Sequence, residues 1–480
     1  MRSNENTPNN NKGFINDDFL LQSKSAKILF HEYAKDLPII DYHSHLPPKD
    51  IAENKKFKNI TELWLNGDHY KWRALRTLGV KEKFITGDAR DKEKFLAWAK
   101  EVPLTVRNPL FHWTHLELKN TFGIEEYLNE ESAEEIYNTC NKMLQQDAFS
   151  AQGLLKPYKV EFVGTTDDPC DNLLFHQQLK TQKLPLTVHP TFRPDKIFGI
   201  SNRVNFMAYL KKVEEVSEIE ITDTASLLKA LENRINYFHE NGCRVSDHGI
   251  AQMPITSKFS SDLEREFRIF LHDDSAVFSN PDAFKGYILA ELCKMYHSKG
   301  WVQQFHLGPI RNNNSRLLKL LGADCGVDSI GDLPQANSLA SFLNKLDGQD
   351  TLAKTIIYNI NPADNEVFAS MVGNFNDGSI KGKIQFGTGW WYLDQKDGME
   401  KQINALSNIG IISTFIGMTT DSRSFLSYSR HEYFRRVLCN LFGDEMKKGL
   451  LPNDEKWIGS IVRDICYNNA KEYFIPALNK

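Results

Sequence analysis

The chain has 480 residues, 41% apolar and 25% charged, an ordinary globular composition with enough length for one large core. Its 58 basic and 62 acidic side chains leave a formal net charge of −4, so no global field recruits nucleic acid or an anionic membrane. Seven scattered cysteines, odd in number and without a Cys-X-X-Cys pair, argue against a disulfide framework or a thiolate zinc site and fit a reducing, cytoplasmic setting.

Residues 1–17 read as a disordered polar tail, because Met1 to Lys12 is asparagine-rich and has no apolar core, unlike a signal peptide or anchor. No later run approaches the roughly 18 apolar residues of a membrane span. The remainder, 18–480, reads as a single domain. Phe19 to Lys35 has helical spacing, with Leu20, Leu21, Ile28, Leu29 and Tyr33 on the apolar side. Then comes Ile39-Ile40-Asp41-Tyr42-His43-Ser44-His45, where strand alternation puts Asp41, His43 and His45 on one face. Two imidazoles so spaced at a strand end are a ready pair of metal ligands. From about 49 to 151 the pattern is helical, as in Ile60–Leu65, Lys92–Glu101 and Ala133–Leu144, which predicts a large helical insertion after strand one.

Beyond it, β-like runs alternate with helical stretches. Glu161–Thr166 ends in Asp167-Asp168-Pro169, and Leu186–Phe192 ends in Arg193-Pro194-Asp195. Cys243–Ser246 ends in Asp247-His248-Gly249, and Trp301–Phe305 ends in His306. Thr355–Ile360 ends near Asn361-Pro362, Lys383–Gly387 ends in Thr388-Gly389-Trp390-Trp391, and Thr414–Thr420 ends in Asp421-Ser422-Arg423. With the first run these make eight, and eight β/α units predict a parallel (β/α)₈ barrel of the TIM type in the α/β class. Such a barrel takes about 250 residues. The insertion and a long segment from Ser257 to Lys299 account for most of the surplus.

Barrel active sites sit at the C-terminal ends of the strands, and nearly every strand here ends in a group able to do chemistry. Closure places the last strand beside the first, so Asp421 is the nearest third ligand for a metal on His43 and His45. His306 is either a ligand or a substrate contact. Three protein ligands with open positions make a catalytic rather than a structural site, able to polarise an oxygen or acidify a bound hydroxyl.

Asp41-Tyr42-His43-Ser44-His45 together with Asp421 resembles the amidohydrolase superfamily of metal-dependent barrels. Gly67-Asp68-His69-Tyr70-Lys71-Trp72-Arg73, His112-Trp113-Thr114-His115-Leu116-Glu117 and Val163-Gly164-Thr165-Thr166-Asp167-Asp168-Pro169 narrow the likeness to uronate isomerases. So do Phe192-Arg193-Pro194-Asp195-Lys196, Gly300–His306, Gln385–Trp391 and Thr420–Tyr428, so that the resemblance runs from about Asp18 to Phe474. It implies an aldose–ketose isomerase that interconverts D-glucuronate with D-fructuronate and D-galacturonate with D-tagaturonate through an enediol. It also implies one divalent metal ion on His43, His45 and Asp421, zinc first, with manganese or iron compatible with the same ligands. Strand four lacks the metal-bridging lysine of many superfamily members, and strand six has Tyr358-Asn359 in place of the usual histidine; both departures favour a single ion. By the same resemblance Asp421, Tyr70 and Arg423 are the catalytic groups, and His69, Arg193, His306, Trp390 and Asp247 bind substrate. His69 and Tyr70 come from the insertion, which should therefore cover the barrel mouth and exclude water. A homo-oligomer is expected on general grounds. Two other readings are a two-metal hydrolase of esters, lactones or amides, and a carbohydrate-binding scaffold with a dead site.

Overall fold

The computed structural model describes residues 13–255 and 260–478, with side chains to residue 474. Its strands, in chain order, are β1 Ile39–Asp41, β2 Val160–Gly164, β3 Thr187–His189, β4 Thr191–Phe192, β5 Val245–Ile250, β6 Val302–Leu307, β7 Pro309–Ile310, β8 Ser329–Ile330, β9 Lys354–Asn359 and β10 Ile384–Phe386. All the ladders are parallel except the small hairpin of β7 and β8. They form two arcs, β1-β2-β3 and β10-β9-β6-β5-β4, which with the extended run before Asp421 make the barrel.

The run expected as one strand over 186–192 is divided at Pro190, which has no N–H to give to a ladder. Its first half pairs with β2 and its second with β5. The two arcs stay joined through Asp167, which pairs with Phe192, donates from its N–H to the Thr191 carbonyl at 3.0 Å and accepts from the Arg193 N–H at 2.9 Å.

The eighth strand, expected over 414–420, is not a regular strand. Gly417 has φ +73°, in the left-handed region, and this breaks the extended run. Side chains close the seam instead. The buried Asp41 carboxylate accepts the Thr420 N–H at 2.8 Å and its hydroxyl at 2.7 Å, and Thr419 Oγ1 donates to it at 2.9 Å. The Tyr42 hydroxyl donates to the Gly417 carbonyl at 3.0 Å, and the Asp421 N–H reaches the His43 carbonyl at 3.1 Å. Asp41 is therefore a structural residue, although it shares a strand with the two histidines.

Between β1 and β2 the described elements are helices and single turns, among them Ile60–Trp64, His69–Thr77, Asp91–Glu101, Pro109–Phe122 and Ala133–Leu144. Local chemistry sets their ends. Asn59 and Asp68 cap the N–H groups of Glu62 and Lys71, and Gly123, at φ +68°, stops Pro109–Phe122. The buried rings of Trp64, Trp98 and Trp113 give this layer a core continuous with that of the barrel. Two arginines clamp it to the barrel loops: Arg73 donates to the Asp328 carbonyl (2.7 Å) and the Tyr392 hydroxyl (2.6 Å), and Arg76 donates to the Cys325 carbonyl.

The first helix starts at Lys24, where the Ser23 hydroxyl caps the Ala26 N–H, rather than at Phe19. It widens into a π-helical turn over Leu29–Ala34. Of the tail expected over 1–17, residues 1–12 lie outside the described residues. Beyond them Phe14 is packed, stacked 5.1 Å from Phe111 and 5.7 Å from Tyr127.

Candidate metal centre and active site

The continuation of β1 beyond its last ladder residue carries His43 and His45 into the mouth of the barrel. Across the seam the chain turns at Asp421, a non-glycine residue at φ +45°. Such a conformation persists only where its surroundings hold it, and here the bonds of the seam do so. Both imidazoles converge on one oxygen: His43 Nε2 lies 3.0 Å and His45 Nε2 3.1 Å from Asp421 Oδ1. Burial pushes His45 down to about 4, so near neutral pH it offers a lone pair rather than a charge. Burial would raise the Asp421 carboxyl, but the two imidazoles outweigh it and hold it well below the usual carboxylate range. A neutral imidazole and a carboxylate aimed at one point, within 4.8 Å of each other and of His43, are a donor set that a divalent cation fits.

His43, Asp247 and His306 form a second cluster of comparable span, but its charge balance differs. Asp247 is fully buried and already paired with Arg193 Nη1 at 2.9 Å through Oδ2 and with His306 Nδ1 at 2.7 Å through Oδ1. Burial opposes its ionisation, yet Arg193, His306 and His43 together hold it well below the usual range. The guanidinium already gives the Asp247 carboxylate a positive partner.

A cavity of about 390 Å³ opens above these groups, lined by His43, His45, His69, Tyr70, Arg193, His306, Trp390, Asp421 and Arg423. The structure thus brings together all the residues singled out from the sequence except Asp247. That residue lies beneath the floor, behind Arg193 and His306, and does not line the cavity, which corrects its assignment as a substrate contact. Asp247 and His306 also sit inside β5 and β6 rather than past their ends, in registers two pairs apart, Asp247 opposite Gln304 and His306 opposite Gly249. The His306 ring stacks on Tyr358 at 4.1 Å and meets Trp390 edge-on at 4.6 Å.

Several polar atoms at this cavity are buried with no partner among the described residues: both nitrogens of His69, Nε2 of His306 and Nε1 of Trp390. Unpaired buried polar groups are costly, and a polar ligand would satisfy these. Tyr70 presents its phenol to the same space, and burial raises it well above the usual tyrosine range, so it stays protonated at neutral pH. Arg423 stands at the rim, 39% exposed, 3.3 Å from Asp324.

Arg311, Asn312 and Asp324 also line the cavity, from the loop between β6 and β9. Arg311 lies over the Trp391 ring at 4.9 Å. No sequence pattern marks them, because a loop has no periodicity and an arginine beside asparagines reads as surface. A larger cavity of about 760 Å³ lies at the opposite, N-terminal end of the barrel, near Arg244, Trp301 and Lys383, and holds none of the strand-end groups.

A parallel α/β barrel with a His-X-His pair and a seam aspartate at its C-terminal mouth defines the class: a barrel enzyme with a metal-ligand site in its active centre. Comparison with known proteins is specific. The glucuronate isomerase family model matches residues 11–474, and the chain belongs to that family. It is 56% identical over 467 residues to a uronate isomerase of Flavobacterium johnsoniae, covering 96% of this chain and 98% of that one. It is 50% identical to a uronate isomerase of Shouchella clausii over 96% of this chain and 98% of that one. The crystal structure of a uronate isomerase from Thermotoga maritima superposes with a TM-score of 0.90 at 34% identity, covering 96% of this chain and 99% of that one.

Proposed function

We infer that the chain interconverts aldo- and ketohexuronates, D-glucuronate with D-fructuronate and D-galacturonate with D-tagaturonate, using one divalent ion, zinc in the first instance, on His43, His45 and Asp421. The observation that carries this reading is the convergence of those three donors below a cavity whose wall holds Tyr70 and Arg423.

The isomerisation removes the proton from C2, passes through an enediol and returns a proton to C1, while a second proton moves between the C1 and C2 oxygens. An ion held by His43, His45 and Asp421 would supply Lewis acidity at the reacting oxygens. Asp421, an ionised carboxylate at neutral pH, would accept a proton from a substrate hydroxyl. Tyr70, protonated and without a hydrogen bond to any described residue, donates to one oxygen and accepts in turn as charge develops. Arg423, a permanent cation, stabilises the oxyanion. Arg193 and Trp390 shape the floor, and His69 and His306 have ring nitrogens free for substrate hydroxyls. The insertion helix His69–Thr77, clamped by Arg73 and Arg76, roofs the site.

The two-metal hydrolase reading is less supported, because its second position would have to form on an Asp247 already paired with Arg193. Among the described residues no helix is long and apolar enough to cross a membrane. All seven cysteines are free, which supports a reducing cytoplasmic setting; we propose an assembly of identical subunits there. The test is direct. Purified, metal-replete protein should convert glucuronate or galacturonate to the ketouronate with one ion per chain, and chelation should abolish turnover until metal is restored. Failure to convert either uronate, or two ions per chain with ester or amide hydrolysis, would overturn the reading.

A further inference from the structure

Tyr70 sits in an unusual position for a group that must exchange protons with substrate. Its hydroxyl makes no hydrogen bond to any described residue, so contacts to the ring must set its orientation. Three such contacts are close. The His69 ring stacks at 4.7 Å, the Trp113 ring meets it edge-on at 6.1 Å, and the Arg430 guanidinium lies 5.6 Å from its centroid. His69 and Trp113 belong to the insertion. Of the three, Arg430 alone is carried by the barrel, near the start of the helix Ser429–Lys448 that follows the Asp421 turn.

Arg430 is a costly residue to keep there. Its side chain is 5% exposed and its Nε has no partner. It faces Asp394, 3.0 Å from Nη1 in the turn that follows Trp390-Trp391, a carboxyl that burial pushes up to about 7 against the pull of the guanidinium. The same Nη1 donates to the Thr420 carbonyl at 3.4 Å, one residue before Asp421. The Arg430 Cζ lies 4.3 Å from the centroid of the Trp113 ring, close enough for a cation–π contact. One guanidinium thus touches the segment that carries Asp421, the turn that carries Trp390, and the ring whose hydroxyl faces the cavity. A buried apolar side chain could fill the volume, but it could not hold three separate chain segments in one register.

We propose that Arg430 is a positioning residue for Tyr70, fixing the phenol of the insertion against the Asp421 side of the site and placing a cation against its ring. The inference rests on Tyr70 being the proton-exchanging group of the isomerase reading. The cation also favours negative charge on the phenol oxygen, working against the burial that raises it. Arg430 acts through Tyr70 and does not line the cavity.

The test is a double-mutant cycle on metal-replete protein, with Tyr70→Phe, Arg430→Gln and the pair. Arg430→Gln should lower kcat by at least about 30-fold with KM within about threefold, because it removes orientation rather than binding. In the Tyr70→Phe background the same change should cost less than about threefold, since groups acting as one unit are not additive. Arg430→Lys, which keeps the charge but loses the fork and the stacking plane, should fall between wild type and Arg430→Gln. Bound metal, measured on each variant, should stay at the wild-type stoichiometry. Equal losses from Arg430→Gln in both backgrounds, or loss of metal, would overturn the proposal and leave Tyr70's own role standing. Full turnover in Tyr70→Phe would remove Tyr70 from the chemistry and the proposal with it. If Arg430→Gln does not fold, Asp394→Asn/Arg430→Gln leaves no unpaired carboxylate and is read in the same cycle.

Discussion

Tyr70 and Arg423 face the cavity from opposite origins, one on the insertion helix and the other two residues beyond the seam aspartate. Neither is placed to hold the metal, so their loss should fall on turnover. Tyr70→Phe keeps the ring and its contacts and removes only the hydroxyl, so kcat should drop by roughly 10²–10⁴-fold with KM changed little. Arg423→Met should give a loss of similar rank, because no neutral side chain replaces a fixed cation at an oxyanion. Steady-state kinetics on both uronates checks this; a rise in KM with kcat unchanged would make either residue a binding group only. Both were named in the sequence through the family resemblance, Tyr70 on the Gly67–Arg73 motif and Arg423 two residues after Asp421. Asp247 was only half legible: the sequence pattern put it just past its strand rather than inside it, and its pairing with Arg193 depends on how β4 and β5 meet, which no local pattern records.

At the scale of the element, the seam is where the fold and the site depend on each other. Asp41 accepts two bonds from Thr420, and the next residue is the aspartate that faces both histidines. Thr420→Val keeps the shape and the backbone bond but leaves one carboxylate oxygen without its hydroxyl partner. It should destabilise the protein by about 1–3 kcal/mol and weaken metal affinity, because one of the bonds that hold the left-handed turn at Asp421 would be lost. Thermal unfolding with metal titration measures both; a variant that loses stability but binds metal as before would show that the seam and the site are independent. The element pattern was legible in the sequence where β-branched and aromatic residues form a short continuous run, as in β9. It was misleading at the seam and at Pro190. There the composition is that of a strand, but a glycine at positive φ, a missing N–H and a carboxylate standing in for the ladder decide the outcome.

For the molecule as a whole, stability should depend on pH through buried groups that the chemistry does not use. Asp167 joins the two arcs of the barrel and is 6% exposed; burial pushes its carboxyl up to about 7 from an ordinary 3.8. Its partners are neutral. Thr165 Oγ1 donates to it at 2.7 Å and the Thr191 N–H at 3.1 Å, while burial drives nearby His176 down to about 3, so that ring supplies no countercharge. Between 3.8 and about 7 the folded protein keeps a proton that the unfolded chain has released, so this carboxyl's contribution is fully present below that window and is lost as pH rises through it. Asp167→Asn removes the titration and keeps an oxygen to accept both bonds. Near pH 5 the variant should be about as stable as wild type or slightly less so. By pH 8 it should have gained on wild type by on the order of 1–3 kcal/mol, since only wild type then bears a buried charge. Denaturant unfolding of the two proteins at both pH values measures the difference directly. A stability gap that stays constant from pH 5 to 8 would mean that Asp167 is ionised in the fold throughout, and that the join between the arcs is an anion held by its hydrogen bonds rather than a neutral acid.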